Sequence, residues 1–333
     1  MRSVDIDAVL AALAPLRGRP VSWRPLAGGL SHHVYRVDAG PDSYVLRVLE
    51  PAVHAAGLGI EPALEVANTV AAARSGVGPR VFAVLPEVPA LLIEFLEGQT
   101  LSAAGVPPRL VPVAAACRRL HAGPRFANDF DIRARLDQLL DVCARHDLAP
   151  PAGYADRLST VDDVAAALRH DPPPAVPCHN DLLPENLIDT GAAVRIVDYQ
   201  LSGNNDPTFE LGDIAAEADL DPDTTAALAA AYFGPALTPA LVARTRLNLL
   251  LSNTTWTLWF AVHHGLLSSP GSGFDYQGEA ADKWRQACRD LDAPDLGALI
   301  DAVAGRAVPP GAAVCRAVPP PDPYPVPDPE ETP

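Results

Sequence analysis

A chain of 333 residues, 48% of them hydrophobic, can fill one large domain or two modest ones around a sizeable core. Its charged fraction of 20% argues against global disorder, and a formal charge of −16 without any Lys/Arg cluster argues against nucleic-acid binding. The acid excess could draw cationic ligands toward a cleft, or could simply keep an Ala- and Pro-rich chain in solution.

Met1 to Leu16 reads as a short amphipathic helix interrupted by Asp5 and Asp7, not as a signal peptide. Strand signals follow over Ser22–Leu26, Val34–Val37 and Tyr44–Leu49, with a loop by composition over Asp38–Ser43. A helix is expected over Ala63–Ser75, closed by Gly76 and Gly78-Pro79, and then strands over Arg80–Leu85 and Ala90–Phe95. The first part of the chain is therefore a small antiparallel sheet of five strands with one helix. Beyond Gly98 the apolar spacing turns helical, over Val111–His121, Ile132–His146 and Tyr154–His170. Residues 175–198 alternate strand, loop and strand, and helices return over Ile214–Phe233, Pro239–Leu267 and Glu279–Asp290. From about Val308 the chain is rich in Pro, Ala and acid, and this tail is expected to be disordered. The cysteines at 117, 143, 178, 288 and 315 are odd in number and form no CxxC, so neither a disulfide framework nor a zinc site is indicated. That fits a reducing compartment, the cytoplasm. No run of eighteen apolar residues predicts a membrane span.

The stretch richest in chemistry is His179-Asn-Asp181-Leu-Leu-Pro-Glu185-Asn186, followed by the apolar run Val194 to Val197 that ends in Asp198. Phosphoryl transfer needs a carboxylate to orient or deprotonate the attacking hydroxyl, and oxygen ligands to hold Mg²⁺ on the phosphates. One Asn and one Asp suffice for a cation that keeps several of its waters. Asp181 and Asn186 on one loop, with Asp198 on the adjoining strand, bring three such side chains toward one point. A loop-turn acid and a helix cap would account for Asp181 and Asn186 singly, but not for a strand-rich half before them and a helical half after.

This segment resembles the aminoglycoside phosphotransferase and choline/ethanolamine kinase superfamily, nearest to bacterial choline kinase-like proteins, with the likeness running from about Trp23 to Asp290. The resemblance implies an α+β, bilobal protein-kinase-like fold. It implies a nucleotide-binding N-lobe over 1–97, a mainly helical C-lobe over 98–305 carrying the catalytic loop and acceptor site, and a Pro-rich tail over 306–333. It implies ATP and Mg²⁺ as cofactors, with Asp181 as the catalytic base and Asn186 and Asp198 as metal ligands. The turn in Ala27–Val37, with Gly28, Gly29 and Ser31, is similar to the family's phosphate cover, although an ordinary hairpin turn would look the same. Arg47 stands where the family's phosphate-binding cation stands. Glu65 matches the carboxylate that holds it, with Glu61 second. The backbone near Glu94, Phe95 and Leu96 would meet the adenine.

The acceptor half narrows the likeness. Ser202 to Asp213 is similar to the segment after the metal Asp in choline and ethanolamine kinases, with Glu210 where Asp is usual. Trp256-Thr-Leu-Trp259, then Ser268, then Phe274-Asp-Tyr276 follow the order of the choline-kinase C-terminal signature. Two tryptophans at i and i+3 share a helix face and could wall a quaternary ammonium. Core packing is the other use of such a pair. The resemblance thus implies a small cationic acceptor met by Trp256, Trp259, Tyr276 and an acid among Glu210, Glu217 and Glu279. Leu201 and Glu279 depart from the family's aromatics, which leaves ethanolamine-like and aminoglycoside acceptors open beside choline. A catalytically silent kinase-fold binding protein is a further alternative. It would need one of Asp181, Asn186 or Asp198 to be lost, and all three are present.

Overall fold

The computed structural model describes residues 5–26, 31–268 and 274–306. The expected tail beyond Arg306, and with it Gly28 and Gly29, lies outside the described residues. Helix α1 (Ile6–Ala12) is capped by Asp5, which accepts the Ala8 N–H. Its apolar side packs with one face of a sheet built from β1 (Val21–Pro25), β2 (His33–Ala39) and β3 (Asp42–Val48). After α2 (Pro51–Ala55) and α3 (Pro62–Ser75) the sheet is completed by β4 (Val81–Leu85) and β5 (Ala90–Glu94). All pairings are antiparallel, in the order β1-β2-β3-β5-β4. The loop expected over Asp38–Ser43 shrinks to Gly40-Pro41, because Ala39 already pairs with Asp42. Gly40 takes a φ of 64°, which lets two residues reverse the strand.

The chain then enters a helical lobe: β6 (Gln99–Thr100), α4 (Leu110–His121), α5 (Ile132–Arg145), α6 (Tyr154–Leu168), β7 (Val176–Cys178), β8 (Leu187–Asp189), β9 (Val194–Ile196) and β10 (Gly203–Asn205). It closes with α7 (Pro207–Glu217), α8 (Pro222–Phe233), α9 (Pro239–Leu266), α10 (Tyr276–Leu291) and α11 (Leu296–Val303). The architecture is the two-lobed α+β one. Where a single helix was expected over Ile214–Phe233 there are two. Asp206 caps α7 with Pro207 at its first turn, Asp219 reverses the backbone at φ 46°, and Asp221 caps α8 with Pro222 behind it. The 28-residue α9 is apolar or small on nearly every side and runs through the centre of the lobe. One core packs α5, α6, α10 and α11 around it. A second lies between α4, α7 and α8 and the strands β8 and β9. Among the described residues no helix is long and apolar enough to cross a membrane.

Candidate active site

The loop between β7 and β8 is held from below by α7. Glu210 accepts the backbone N–H groups of His179 and Asn180, each at 2.8 Å. Asp213, one turn further, accepts the N–H of Leu182 at 2.7 Å. These contacts fix a loop that contains Asn180 in the left-handed region, at φ 66°. His179 is buried and donates from Nε2 to the Val197 carbonyl at 2.8 Å, which ties the loop to the strand leading to Asp198. Burial lowers the His179 pKa and keeps the ring neutral. Asn186 donates its side-chain N–H to the Asp181 carbonyl at 2.9 Å, leaving its amide oxygen free to face a cation.

Glu210 was expected at the acceptor, and the structure corrects this. It is fully buried, both oxygens are taken by the loop's N–H groups, and His121 Nε2 lies 3.4 Å away on its inner side. Burial alone would raise its pKa, but His121 and the backbone donors hold it below the usual carboxylate value. Sequence reading also passed over Asp213. Its carboxylate accepts from Leu182, from the Ser252 hydroxyl at 2.7 Å and from the Trp256 indole at 2.8 Å. The signal was the glycine before it. A Cβ on Gly212 would lie 2.6 Å from both Leu249 N and Thr245 O, so α7 can approach α9 this closely only without a side chain there.

Above the loop, Arg47 of β3 is almost wholly buried between two carboxylates. Its Nε donates to Glu65 Oε1 at 2.9 Å, and its two terminal nitrogens fork onto Asp198, one of them at 2.9 Å. Burial works against the guanidinium charge, but Asp198 and Glu65 outweigh it and the pKa is raised. Glu65, and not Glu61, is thus the partner of Arg47, while Glu61 stays exposed at the start of α3. The same pairing outweighs burial at Asp198 and holds its carboxyl below the ordinary range.

One cavity of ≈ 370 Å³ joins these parts. Asp181, Asn186, Asp198 and Ser31 line it together with Trp256, Trp259, Phe260, Phe274, Glu217 and Glu279. The two indoles are only 3% and 6% exposed, yet both present surface to the cavity. Their N–H groups are used elsewhere, on Asp213 and, for Trp259, on the Leu58 carbonyl at 2.8 Å. Glu217 is paired with buried Lys283 at 2.8 Å. Asp181 is half-buried, and its pKa is pushed well up by burial and by the charges of Asp213, Glu217 and Asp198, against the pull of Lys283. Leu201 also reaches the cavity. Tyr276 does not line it: its ring stacks on His263 with centroids 3.9 Å apart. Glu94 and Leu96 are not part of its lining either. The Glu94 carboxylate receives the Arg80 N–H at 3.0 Å and Arg195 at 3.1 Å.

The profile of the phosphotransferase enzyme family matches residues 22–245. The chain belongs to that family. Among solved structures this phosphotransferase is similar to a choline/ethanolamine kinase family protein from Mesorhizobium loti, with 30% identity and a TM-score of 0.78 over 92% of this chain and 100% of that one. It shares its fold with the choline kinase LicA from Streptococcus pneumoniae, with a TM-score of 0.70 at 17% identity over 86% of this chain and 97% of that one. In sequence it is 34% identical to Protein LicA of Haemophilus influenzae over 97 residues, which is 27% of this chain and 36% of that protein. The chain therefore spans about a third of that curated relative. The family match ends before Trp256, so the acceptor end of the cavity has to be argued from its own residues.

Proposed function

We propose that this phosphotransferase moves the γ-phosphoryl group of ATP to the hydroxyl of a small cationic amino alcohol of the choline or ethanolamine kind. The observation that carries the reading is one cavity lined both by the polar triad Asp181, Asn186 and Asp198 and by aromatic rings with a carboxylate. Residues 1–97 would hold the nucleotide and 98–305 the acceptor. Asp181 would take the hydroxyl proton. Arg47, held by Glu65, would meet phosphate oxygens together with Gly28, Gly29 and Ser31, and the backbone at Glu94 to Leu96 would meet the adenine. The amide oxygen of Asn186 and the carboxylate of Asp198 are the hard oxygen donors that Mg²⁺ takes. When bound there, the ion would neutralise phosphate charge.

The acceptor end supports a cation by charge and by shape. Trp256 and Trp259 have spent their N–H groups, so what they offer the cavity is ring surface, worth about 0.5–2 kcal/mol per indole toward a cation. Glu217 is already neutralised by Lys283, and Glu279 lines the same cavity as an acid that would meet an ammonium. Burial raises the Glu279 pKa, with Lys283 opposing, and an arriving cation would favour its charged form. The test is ADP release with choline, ethanolamine and aminoglycosides in parallel, on the wild type and on Trp259→Ala. The expected result is turnover with an amino alcohol, and an acceptor KM raised far more than the ATP KM in the variant. Turnover only with an aminoglycoside, or equal losses for ATP and acceptor, would refute the cationic amino alcohol.

A further inference from the structure

We infer that His32 is a positioning residue for the nucleotide site, orienting the Glu65 carboxylate and, through it, the Arg47 guanidinium. The inference rests on the phosphotransferase reading in one respect, that Arg47 meets the phosphates.

His33 opens β2 and His32 stands immediately before it, and the two side chains differ in burial. The His33 side chain is about half exposed, 3.6 Å from Glu50, whereas the His32 side chain is only 5% exposed. The surroundings of His32 settle its proton. Nδ1 accepts the Glu50 backbone N–H at 2.9 Å, and a backbone N–H can only donate. In the neutral ring the hydrogen therefore sits on Nε2. That nitrogen lies 3.3 Å from Glu65 Oε2, with the N–H bent out of line for a full hydrogen bond. The other oxygen of the same carboxylate, Oε1, receives Arg47 Nε at 2.9 Å. Glu65 itself is 2% exposed, so water does not replace a missing donor easily. A chain of contacts thus runs His32, Glu65, Arg47, Asp198, from the start of β2 to the residue that follows β9 and Val197. Ser31 spans the cleft beside it, its hydroxyl accepting from Gln200 Nε2 at 3.1 Å.

A buried carboxylate with a donor on one oxygen only is free to rotate about that donor. With the imidazole N–H beside the second oxygen, rotation would carry both oxygens of the carboxylate away from a donor at once. His32 therefore sets the direction from which Glu65 holds Arg47, without touching the acceptor cavity, whose lining it does not share.

The test compares the full chain with His32→Leu, which fills the space without a donor, and His32→Gln, whose amide N–H can reach the place of Nε2. ATP binding is measured by calorimetry with Mg²⁺ and no acceptor, and KM for ATP and for the best acceptor by ADP release. We expect His32→Leu to weaken ATP binding about tenfold, the effect of losing one donor to a charged group, while acceptor KM stays within about twofold. His32→Gln should recover most of the loss. In a Glu65→Gln background the Leu substitution should add little, since its effect runs through that carboxylate. Unchanged ATP affinity in a folded His32→Leu, or a full tenfold loss retained in the Glu65→Gln background, would overturn the inference. So would a Gln variant, folded like the wild type by far-UV circular dichroism, that binds ATP no better than Leu. A wild type that binds ATP but phosphorylates no amino alcohol would sink the acceptor reading and leave His32 tested by the calorimetry alone. A wild type that does not bind ATP would sink both.

Discussion

Replacing Glu210 with Gln separates a contact with the acceptor from support of the loop. In the structure both Glu210 oxygens accept backbone N–H groups at 2.8 Å, and the side chain is fully buried. Gln keeps the shape but can accept only one of the two bonds. The second N–H then faces an amide NH₂ and is left without a partner, at a cost of about 1–3 kcal/mol. The bond that remains loses its charge assistance, about 1 kcal/mol more. The variant should therefore be about 2–4 kcal/mol less stable, enough to notice and not enough to unfold a protein of ordinary stability. The strained loop at Asn180 should relax, and kcat should fall by at least tenfold while both KM values move little. Urea unfolding and initial rates over crossed ATP and acceptor concentrations measure the two effects. A variant of wild-type stability with a selectively raised acceptor KM would refute the reasoning and return Glu210 to the acceptor.

Asp181→Asn should leave the unfolding midpoint within error and reduce kcat by roughly 10²–10⁴-fold, the usual size of general-base assistance; an unchanged kcat would remove Asp181 from that role. Gly212→Ala would drive a Cβ to 2.6 Å from backbone atoms of α9, which cannot rotate away. A loss of about 1–3 kcal/mol in urea unfolding is expected, with a lower kcat as Asp213 shifts. Stability should also depend on pH with a particular sign. Burial and the Glu217 charge push the Asp213 carboxyl up to about 7, so between its ordinary value of 3.8 and 7 the folded state holds a proton that the unfolded state has released. Its contribution is complete below that window and is lost as pH rises through it. Asp198 and Glu210, held low, act oppositely and below the window. The stability slope between pH 5 and 7.5 should be less negative in Asp213→Asn, and an unaltered slope would exclude Asp213 as its source.

Much of this was legible because it is local. Apolar alternation gave all five strands of the sheet to within one or two residues, and Gly76 marked the end of α3. The triad was legible because its members sit in one short stretch. What escaped is what depends on who lies beneath. Nothing in the immediate neighbourhood of Glu210 says that its oxygens turn to the backbone of residues thirty positions earlier. Similarly, Tyr276 shares the aromatic signature with Phe274, but only Phe274 reaches the cavity. The break between α7 and α8 is a different kind of miss, since Asp221-Pro222 was in plain view and apolar spacing was allowed to outweigh it.

The three acids of α7 show how one element serves both ends of the site. Glu210, Asp213 and Glu217 are spaced i, i+3 and i+7, so they share one face of the helix. Glu210 meets the loop backbone ahead of Asp181, Asp213 meets Leu182 and the Trp256 indole together, and Glu217 meets Lys283 of α10. A displacement of α7 would thus move the Asp181 loop, the Trp256 indole and Lys283 of α10 at the same time. Three carboxylates on one buried face repel each other, and the structure answers with donors for the first, a raised pKa for the second and an ion pair for the third. The acid excess that composition alone could read only as solubility or as bait for a cation has here a third use. It organises backbone and indole N–H groups, while Glu279, on a different helix, lines the cavity itself.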